Sequence, residues 1–136
     1  MTAAERRRDL VTGNREMDEE HALQLRLLRE LVENLDTGDA PAALEVFDRL
    51  EDFTNAHFLA EELLMRLQAY PAYEAHAADH AAFVEELKAI RSRLAAGIGE
   101  EVREDADAFA RRLLAHIASA DHALGEFQRS GGATAA

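Results

Sequence analysis

Four long segments of helix-forming residues, separated by sparse proline and glycine, constrain this chain more than any other feature. The breaks fall at Asp36–Pro41, at Pro71 and at Gly97 and Gly99, since both residue types interrupt helices. The segments between them, roughly 17–36, 41–70, 72–96 and 100–128, are rich in Ala, Leu, Glu and Arg. Short connections make consecutive helices antiparallel neighbours. The sequence therefore predicts an all-α fold, an up-down-up-down antiparallel four-helix bundle.

Apolar residues recur at helical spacing within these segments. The predicted buried stripes are Leu25, Leu28, Val32 and Leu35 on the first, Phe83, Leu87 and Ile90 on the third, and Phe109, Leu113, Ile117 and Leu124 on the fourth. No further apolar stripe is expected that would predict an oligomer. Asp39 is a predicted N-terminal cap of the second helix, with Pro41 in its first turn.

The 136 residues suit a single domain. We expect an N-terminal arm over 1–12, the bundle over 13–128 and a flexible C-terminal tail over 129–136, where Gly131 and Gly132 begin a run of small residues.

Charge and cysteine content exclude several functions. The net charge of −12 disfavours nucleic-acid partners, which need a basic face, and anionic membrane surfaces. The absence of cysteine excludes disulfides, iron–sulfur clusters and thiol catalysis. No apolar stretch follows the arginines at Arg6–Arg8, so an export signal is unsupported and a cytoplasmic protein is expected.

Histidines occur on every predicted helix, some with a partner one turn away. His57 precedes Glu61 by four residues, and His76 precedes His80 by four, which puts each pair on one helix face. Any one of these residues is more often an ordinary core or helix-contact residue than a ligand. With His21 on the first helix and His116 on the fourth, the set would be costly to bury without metal, and it predicts a metal site.

The motifs around these residues resemble those of the hemerythrin family. Met17-Asp18-Glu19-Glu20-His21 resembles the family's opening apolar-Asp-x-x-His unit. The later motifs match His-Phe-x-x-Glu-Glu at His57–Glu62, His-x-x-x-His at His76–His80 and His-Ile-x-x-x-Asp at His116–Asp121. The resemblance extends from about Gly13 to Leu124, and the ordered set of motifs is highly specific.

The resemblance implies two non-haem iron ions, with His76, His80 and His116 on one and His21 and His57 on the other. Glu61 and Asp121 would bridge them together with an oxo or hydroxo group. Five imidazoles and two carboxylates suit iron in either oxidation state. The second iron would have fewer nitrogen ligands and an open position for dioxygen, with Leu113 and Ile117 as candidate lining that would serve equally well as ordinary core.

Two positions depart from the family pattern. Arg112 stands four residues before the last histidine ligand, where the family often has Trp, and Leu124 stands where it tends to have Tyr. An inward Arg112 would put the oxygen affinity in doubt, whereas an outward one would change little. Other polar residues near the candidate ligands are expected to have ordinary roles. We expect His122 at the surface, Glu62 solvated or in support of a ligand, and Asp18–Glu20 on a solvated face.

His116 and Asp121 present a geometric problem. Five residues of an α-helix turn about 140° beyond a full circle, so the two side chains would not share a face. We predict a local π-helical widening between them, because such widenings realign side chains and favour functional sites.

The predicted function is reversible dioxygen binding for carriage, storage, delivery or sensing, rather than catalysis. The alternative is a di-iron redox enzyme acting on peroxide, dioxygen or nitric oxide, although such enzymes use two Glu-x-x-His units, which this chain lacks. Sensing would require a separate protein partner, because the predicted bundle leaves no length for an output domain. A metal-free or zinc-loaded bundle is the remaining alternative.

Overall fold

A computed structural model describes residues 10–97 and 99–131 and contains the four predicted antiparallel helices. The first three are α1 (Arg15–Thr37), α2 (Ala40–Leu67) and α3 (Tyr73–Ala96); the fourth consists of α4 (Glu100–His116), a π-helical turn (Ile117–Asp121) and α5 (His122–Arg129). Helix α1 packs on α2 and α4, and α3 packs on α2 and α4. The described residues include no strand, and the predicted four-helix bundle is confirmed.

Local side chains and backbone geometry set the helix ends. The Asp39 carboxylate accepts a hydrogen bond from the Ala42 amide at 3.1 Å, and Pro41 lies in the first turn of α2, as predicted. Helix α1 ends at Thr37 and is followed by Gly38, whose φ of 75° is readily adopted only by glycine. Helix α2 ends at Leu67 rather than at 70, and Ala69, with a left-handed φ of 49°, takes the chain out of the helix before Pro71.

The buried stripe of α1 differs from the predicted one. Leu28 and Leu35 are buried, but Leu25 and Val32 are only half-buried, so that part of the prediction was wrong. The observed stripe is Met17, His21, Gln24, Leu28, Leu31 and Leu35. Its residues are alternately four and three positions apart. One of them, Gln24, is polar and is therefore absent from a stripe predicted from apolar residues alone. The predicted stripes of α3 and of the fourth helix are buried as expected.

A layer of buried polar residues separates two apolar clusters along the bundle. The larger cluster contains Leu28, Phe83 and Leu113 among others. The smaller consists of Met17, Met65 and Leu124, with Tyr70 and Tyr73 packed against it. The predicted ligands lie between these clusters on each helix, so the polar layer is enclosed by apolar side chains on both sides.

An exposed row of leucines runs along the outer face of α2, contrary to the expectation that no further apolar stripe exists. Leu59, Leu63 and Leu67 are 67%, 50% and 73% exposed, and their spacing of four aligns them on one face. None of the helices in the described ranges is long and apolar enough to span a membrane.

The segment before α1 packs on the fourth helix. Thr12 is fully buried, its amide and hydroxyl donate to the Asp18 carboxylate at 2.8 and 2.7 Å, and its carbonyl accepts from Arg129. Asp18 is therefore a structural acceptor rather than part of a solvated face. Most of the predicted arm, 1–9, and most of the predicted tail, 132–136, lie outside the described residues, so the domain boundaries stay predictions.

Candidate metal centre

The seven predicted ligands lie together at the centre of the bundle. Each is between 2% and 5% exposed. Their donor atoms form two groups, each with all atoms within 4.8 Å of one another: Glu61, His76, His80, His116 and Asp121 in one, and His21, His57, Glu61 and Asp121 in the other. Glu61 and Asp121 belong to both groups. The arrangement is that of two adjoining positions with two shared carboxylates.

Helical spacing accounts for the two pairs predicted from the sequence. His57 Nε2 lies 3.3 Å from Glu61 Oε2 across one turn of α2. The His76 and His80 rings have centroids 4.7 Å apart across one turn of α3. Antiparallel packing adds His21 from α1, whose Nε2 lies 3.0 Å from Asp121 Oδ2.

The π-helical turn brings His116 and Asp121 onto one face. The turn spans Ile117–Asp121, and it puts Asp121 Oδ1 3.3 Å from His116 Nε2. Within it, the Ser119 hydroxyl donates to the Ala115 carbonyl at 2.7 Å. The predicted widening between His116 and Asp121 is confirmed.

The inward atoms of this cluster fit a metal better than they fit one another. Five of them are buried without a hydrogen-bond partner in suitable geometry: His21 Nε2, Glu61 Oε2, His80 Nε2, His116 Nε2 and Asp121 Oδ1. Buried polar atoms are nearly always satisfied, so their convergence at about ion-pair distances indicates that a cation completes the cluster. Imidazole nitrogen and carboxylate oxygen together suit iron, with zinc and manganese as chemically related alternatives.

Three outer carboxylates hold the histidine rings with their Nε2 atoms inward. Glu20 lies 2.9 Å from His57 Nδ1, and Glu62 lies 2.9 Å from His80 Nδ1. Asp79 makes a longer contact of 3.4 Å with His116 Nδ1. A carboxylate at Nδ1 fixes the ring orientation and raises the basicity of the opposite nitrogen. Glu62 thus contacts a candidate ligand, in line with one of the two roles expected for it.

The sequence interpretation missed two of these carboxylates. Glu20 was assigned to a solvated face, yet it contacts a buried ring on another helix, and Asp79 was not singled out at all. Both adjoin a ligand histidine in the chain, Glu20 before His21 and Asp79 before His80, but each supports a histidine of a neighbouring helix. That cross-helix relation is invisible without the packing.

Burial and charge act in opposite directions on the pKa of the cluster's groups. Burial lowers the pKa of His57 and of His76, but hydrogen bonds and charges from nearby carboxylates outweigh it and raise each pKa to about 9. Burial likewise raises the pKa of Glu61, yet close polar contacts with His57, His76 and His80 lower it to about 2. Asp121 also has a lowered pKa, since close polar contacts with His116, His21 and His76 outweigh its burial.

Neither position that departs from the family pattern belongs to the two donor groups. The Arg112 side chain is 56% exposed and pairs with Glu86, so it points outward and leaves the interior apolar. Leu124 is fully buried in the smaller cluster. The His122 side chain is 37% exposed, with Nδ1 3.0 Å from the Val11 carbonyl and Nε2 3.0 Å from Glu126, so it lies at the surface of the bundle.

Two buried polar residues beside the cluster were also missed. Gln24 and Thr54 are both fully buried, and Gln24 Nε2 donates to Thr54 Oγ1 at 2.9 Å. Gln24 follows His21 by three residues and Thr54 precedes His57 by three. Their spacing from two candidate ligands was the signal that could have found them.

Comparison with known proteins agrees with this geometry, which defines a helical bundle with a central cluster able to bind metal. The chain belongs to the hemerythrin family: residues 12–127 match the family described as Hemerythrin HHE cation binding domain. It is 32% identical to a bacteriohemerythrin of Stenotrophomonas maltophilia over 120 residues, 87% of this chain and 76% of the relative. A bacteriohemerythrin of Pseudomonas aeruginosa is 30% identical over 83% of this chain and 73% of its own length. A myohemerythrin of Theromyzon tessulatum is 30% identical over 56% of this chain and 58% of its own length.

Proposed function

We propose that this chain binds two iron ions and, through them, dioxygen reversibly. The observation that carries the proposal is the pair of overlapping donor groups that share Glu61 and Asp121. Two adjoining cation positions with common carboxylates match a di-iron site, and membership of the hemerythrin family supports iron as the metal. The bound iron would supply the electrons that pass reversibly to dioxygen.

The two metal positions would have unequal numbers of histidine ligands. His76, His80 and His116 would hold one ion, and His21 and His57 the other, with Glu61 and Asp121 bridging. The position with two histidines has one protein nitrogen fewer, so dioxygen would enter there. The carboxylates would offset part of the cationic charge within the apolar surroundings.

Apolar residues would keep water from the ligand position. Leu113 and Ile117 are fully buried in the core, and we propose that they line the oxygen site. Arg112, which pairs with Glu86 on the outside, would leave that lining undisturbed. Exclusion of water disfavours charge separation and so favours release of dioxygen over irreversible oxidation.

Binding is favoured over enzymatic turnover by the donor set. Five histidines and two carboxylates carry less negative charge than the carboxylate-rich sites with paired Glu-x-x-His units. Carriage, storage, delivery and sensing would all use the same reversible step, the last through a separate protein partner. We place this function in the cytoplasm, in keeping with a chain that has no cysteine.

An anaerobic absorption spectrum tests the proposal. Iron-loaded, reduced protein is expected to be nearly colourless, to gain a visible charge-transfer band in air and to lose it under argon. The same protein stripped of iron by chelation is the control and should show no band. An irreversible change in air would instead indicate redox turnover of peroxide, dioxygen or nitric oxide, and the absence of any iron-dependent spectrum would contradict the proposal.

A further inference from the structure

The layer of side chains next to the two-histidine position contains a polar pair. This layer takes one buried residue from each helix. Each residue lies about one turn from a candidate histidine ligand, toward the larger apolar cluster. The members of the layer are Gln24, Thr54, Phe83 and Leu113. Because neighbouring helices are antiparallel, Gln24 after His21 and Thr54 before His57 lie at the same level.

Half of the Gln24 carboxamide is satisfied and half is not. Its Nε2 donates to Thr54 Oγ1 at 2.9 Å, whereas its Oε1 is buried without a hydrogen-bond partner. A buried carbonyl without a donor costs free energy, so an apolar side chain would be the more stable choice in a layer that otherwise holds Phe83 and Leu113. The free end of the amide indicates that a hydrogen-bonding molecule belongs beside it.

The position of the pair relates that molecule to the metal cluster. The His21 and His57 rings have centroids 4.9 Å apart, and residues three apart on a helix have β-carbons about 5–6 Å apart. The carboxamide is therefore within one turn of the rings that hold the position with fewer nitrogen donors. A small molecule bound there would lie between the rings and the amide.

We infer that Gln24, held by Thr54, is a binding residue for a small polar ligand at the metal position of His21 and His57. The inference rests on the proposed function, because that metal is the ligand's other attachment. A carboxamide that rotates by 180° presents either C=O or N–H, and the Thr54 hydroxyl can accept from one end or donate to the other. The pair can thus hydrogen-bond to hydroxylic and anionic ligands alike.

Azide titration of the oxidised, iron-loaded protein tests the inference, with the azide charge-transfer band as the readout. Gln24→Leu removes the amide at similar volume and is expected to weaken azide binding by about tenfold or more, as for the loss of a hydrogen bond to a charged group. Iron content and helical circular dichroism should not change. Gln24→Met, which keeps the linear shape, is expected to weaken binding similarly and covers the case in which leucine disturbs the fold.

Two further variants separate binding from mere packing. Thr54→Val, which keeps the shape but removes the hydroxyl, should weaken azide binding, while Thr54→Ser should retain it. Leu35→Met, in the core about three turns along α1, is the matched control and should bind azide as the unmodified protein does.

The results distinguish this inference from the proposed function. Iron-loaded Gln24 variants that bind azide within about twofold of the unmodified protein, or more tightly, would overturn the inference and leave the di-iron site intact. Failure of the unmodified protein to hold iron would overturn the proposed function itself, and this inference with it.

Discussion

His57 and His80 each have two ring nitrogens with different partners. Glu20 and Glu62 bind the outer nitrogens of His57 and His80 at 2.9 Å, while the inner nitrogens lie 3.3 and 3.1 Å from the shared carboxylate Glu61. The outer contact decides which nitrogen is free to bind a cation. At the residue scale, the site therefore depends on carboxylates beyond the seven donors as well as on the donors themselves.

Replacement of one donor should reduce the iron bound. His76 Nε2 lies 2.6 Å from Glu61 Oε1 and 2.9 Å from Asp121 Oδ1, at the junction of both shared carboxylates. His76→Ala is expected to lower iron per chain by about half or more, because one position loses a nitrogen ligand. Iron analysis with circular dichroism measures this, with His122→Ala, outside both donor groups, as control. Full iron content in His76→Ala would contradict the assignment.

The pKa shifts predict how pH affects the chelated, metal-free protein. The pKa of His57 and of His76 rises from 6.5 to about 9, so their contribution to folding is complete below pH 6.5 and is lost as pH rises through 9. The pKa of Glu61 falls from 4.5 to about 2, so its contribution is present above pH 4.5 and is lost as pH falls toward 2.

These two trends predict a pH range of maximum stability for the metal-free protein. They predict that iron affinity, in contrast, rises with pH. The melting temperature of chelated protein is expected to be highest between pH 4.5 and 6.5 and to fall on either side. Iron affinity should instead rise with pH toward 9, since His57 and His76 must lose protons to bind metal. Thermal melts and iron titrations across this range measure both, and tighter iron binding at acid pH would exclude imidazole ligation.

At the scale of elements, the fourth helix solves a register problem that the other three do not have. The pairs on α2 and α3 are four residues apart and need only a regular helix. His116 and Asp121 are five apart, and the π-helical turn between them holds one residue more than an α-helical turn would. The turn also preserves the register of α5, so that Leu124 faces the smaller cluster.

Deletion of one residue from the π-helical turn should therefore be tolerated. Ser119 is exposed, and its removal leaves the histidine and aspartate four apart on a regular α-helix, still on one face. The variant is expected to keep its helical content and iron. Deletion of the exposed Arg111 in α4 is the control and should abolish iron binding, because it rotates one part of a regular helix by about 100° relative to the other. Loss of iron in the Ser119 deletion alone would mean that the π geometry itself positions Asp121.

At the scale of the whole molecule, the bundle encloses a polar layer between two apolar clusters. Such a layer weakens a core unless its groups are satisfied, and a bound cation satisfies many of them at once. The fold and the metal should therefore depend on each other, with the apolar clusters supplying the stability that permits a polar centre.

Removal of iron should measurably destabilise the protein. A ligand present at 100 times its Kd adds about 2.7 kcal/mol to the free energy of unfolding, which for a domain of this size corresponds to a melting temperature higher by on the order of 10 °C. Melting curves of iron-saturated and chelated protein at the same pH measure the difference. Equal melting temperatures would indicate that the cluster binds no iron. His76→Ala is the control, and iron should raise its melting temperature by less.

The sequence by itself determined the four helices, their order and the set of candidate donors. Spacing of four residues and the breaks at glycine and proline are local properties, and a helix expresses them wherever it is. Even the π-helical turn could be predicted, because the five-residue separation of His116 and Asp121 conflicts with α-helical geometry.

Only the tertiary structure decided which residues surround the donors. The roles of Glu20, Asp79 and Gln24 depend on side chains of other helices, at levels fixed by how antiparallel helices slide and rotate against one another. The same packing buried Leu31 in place of Leu25 and Val32, and left Leu59, Leu63 and Leu67 exposed. Helical periodicity allows several adjacent stripes, and the free energy of the assembled core selects among them.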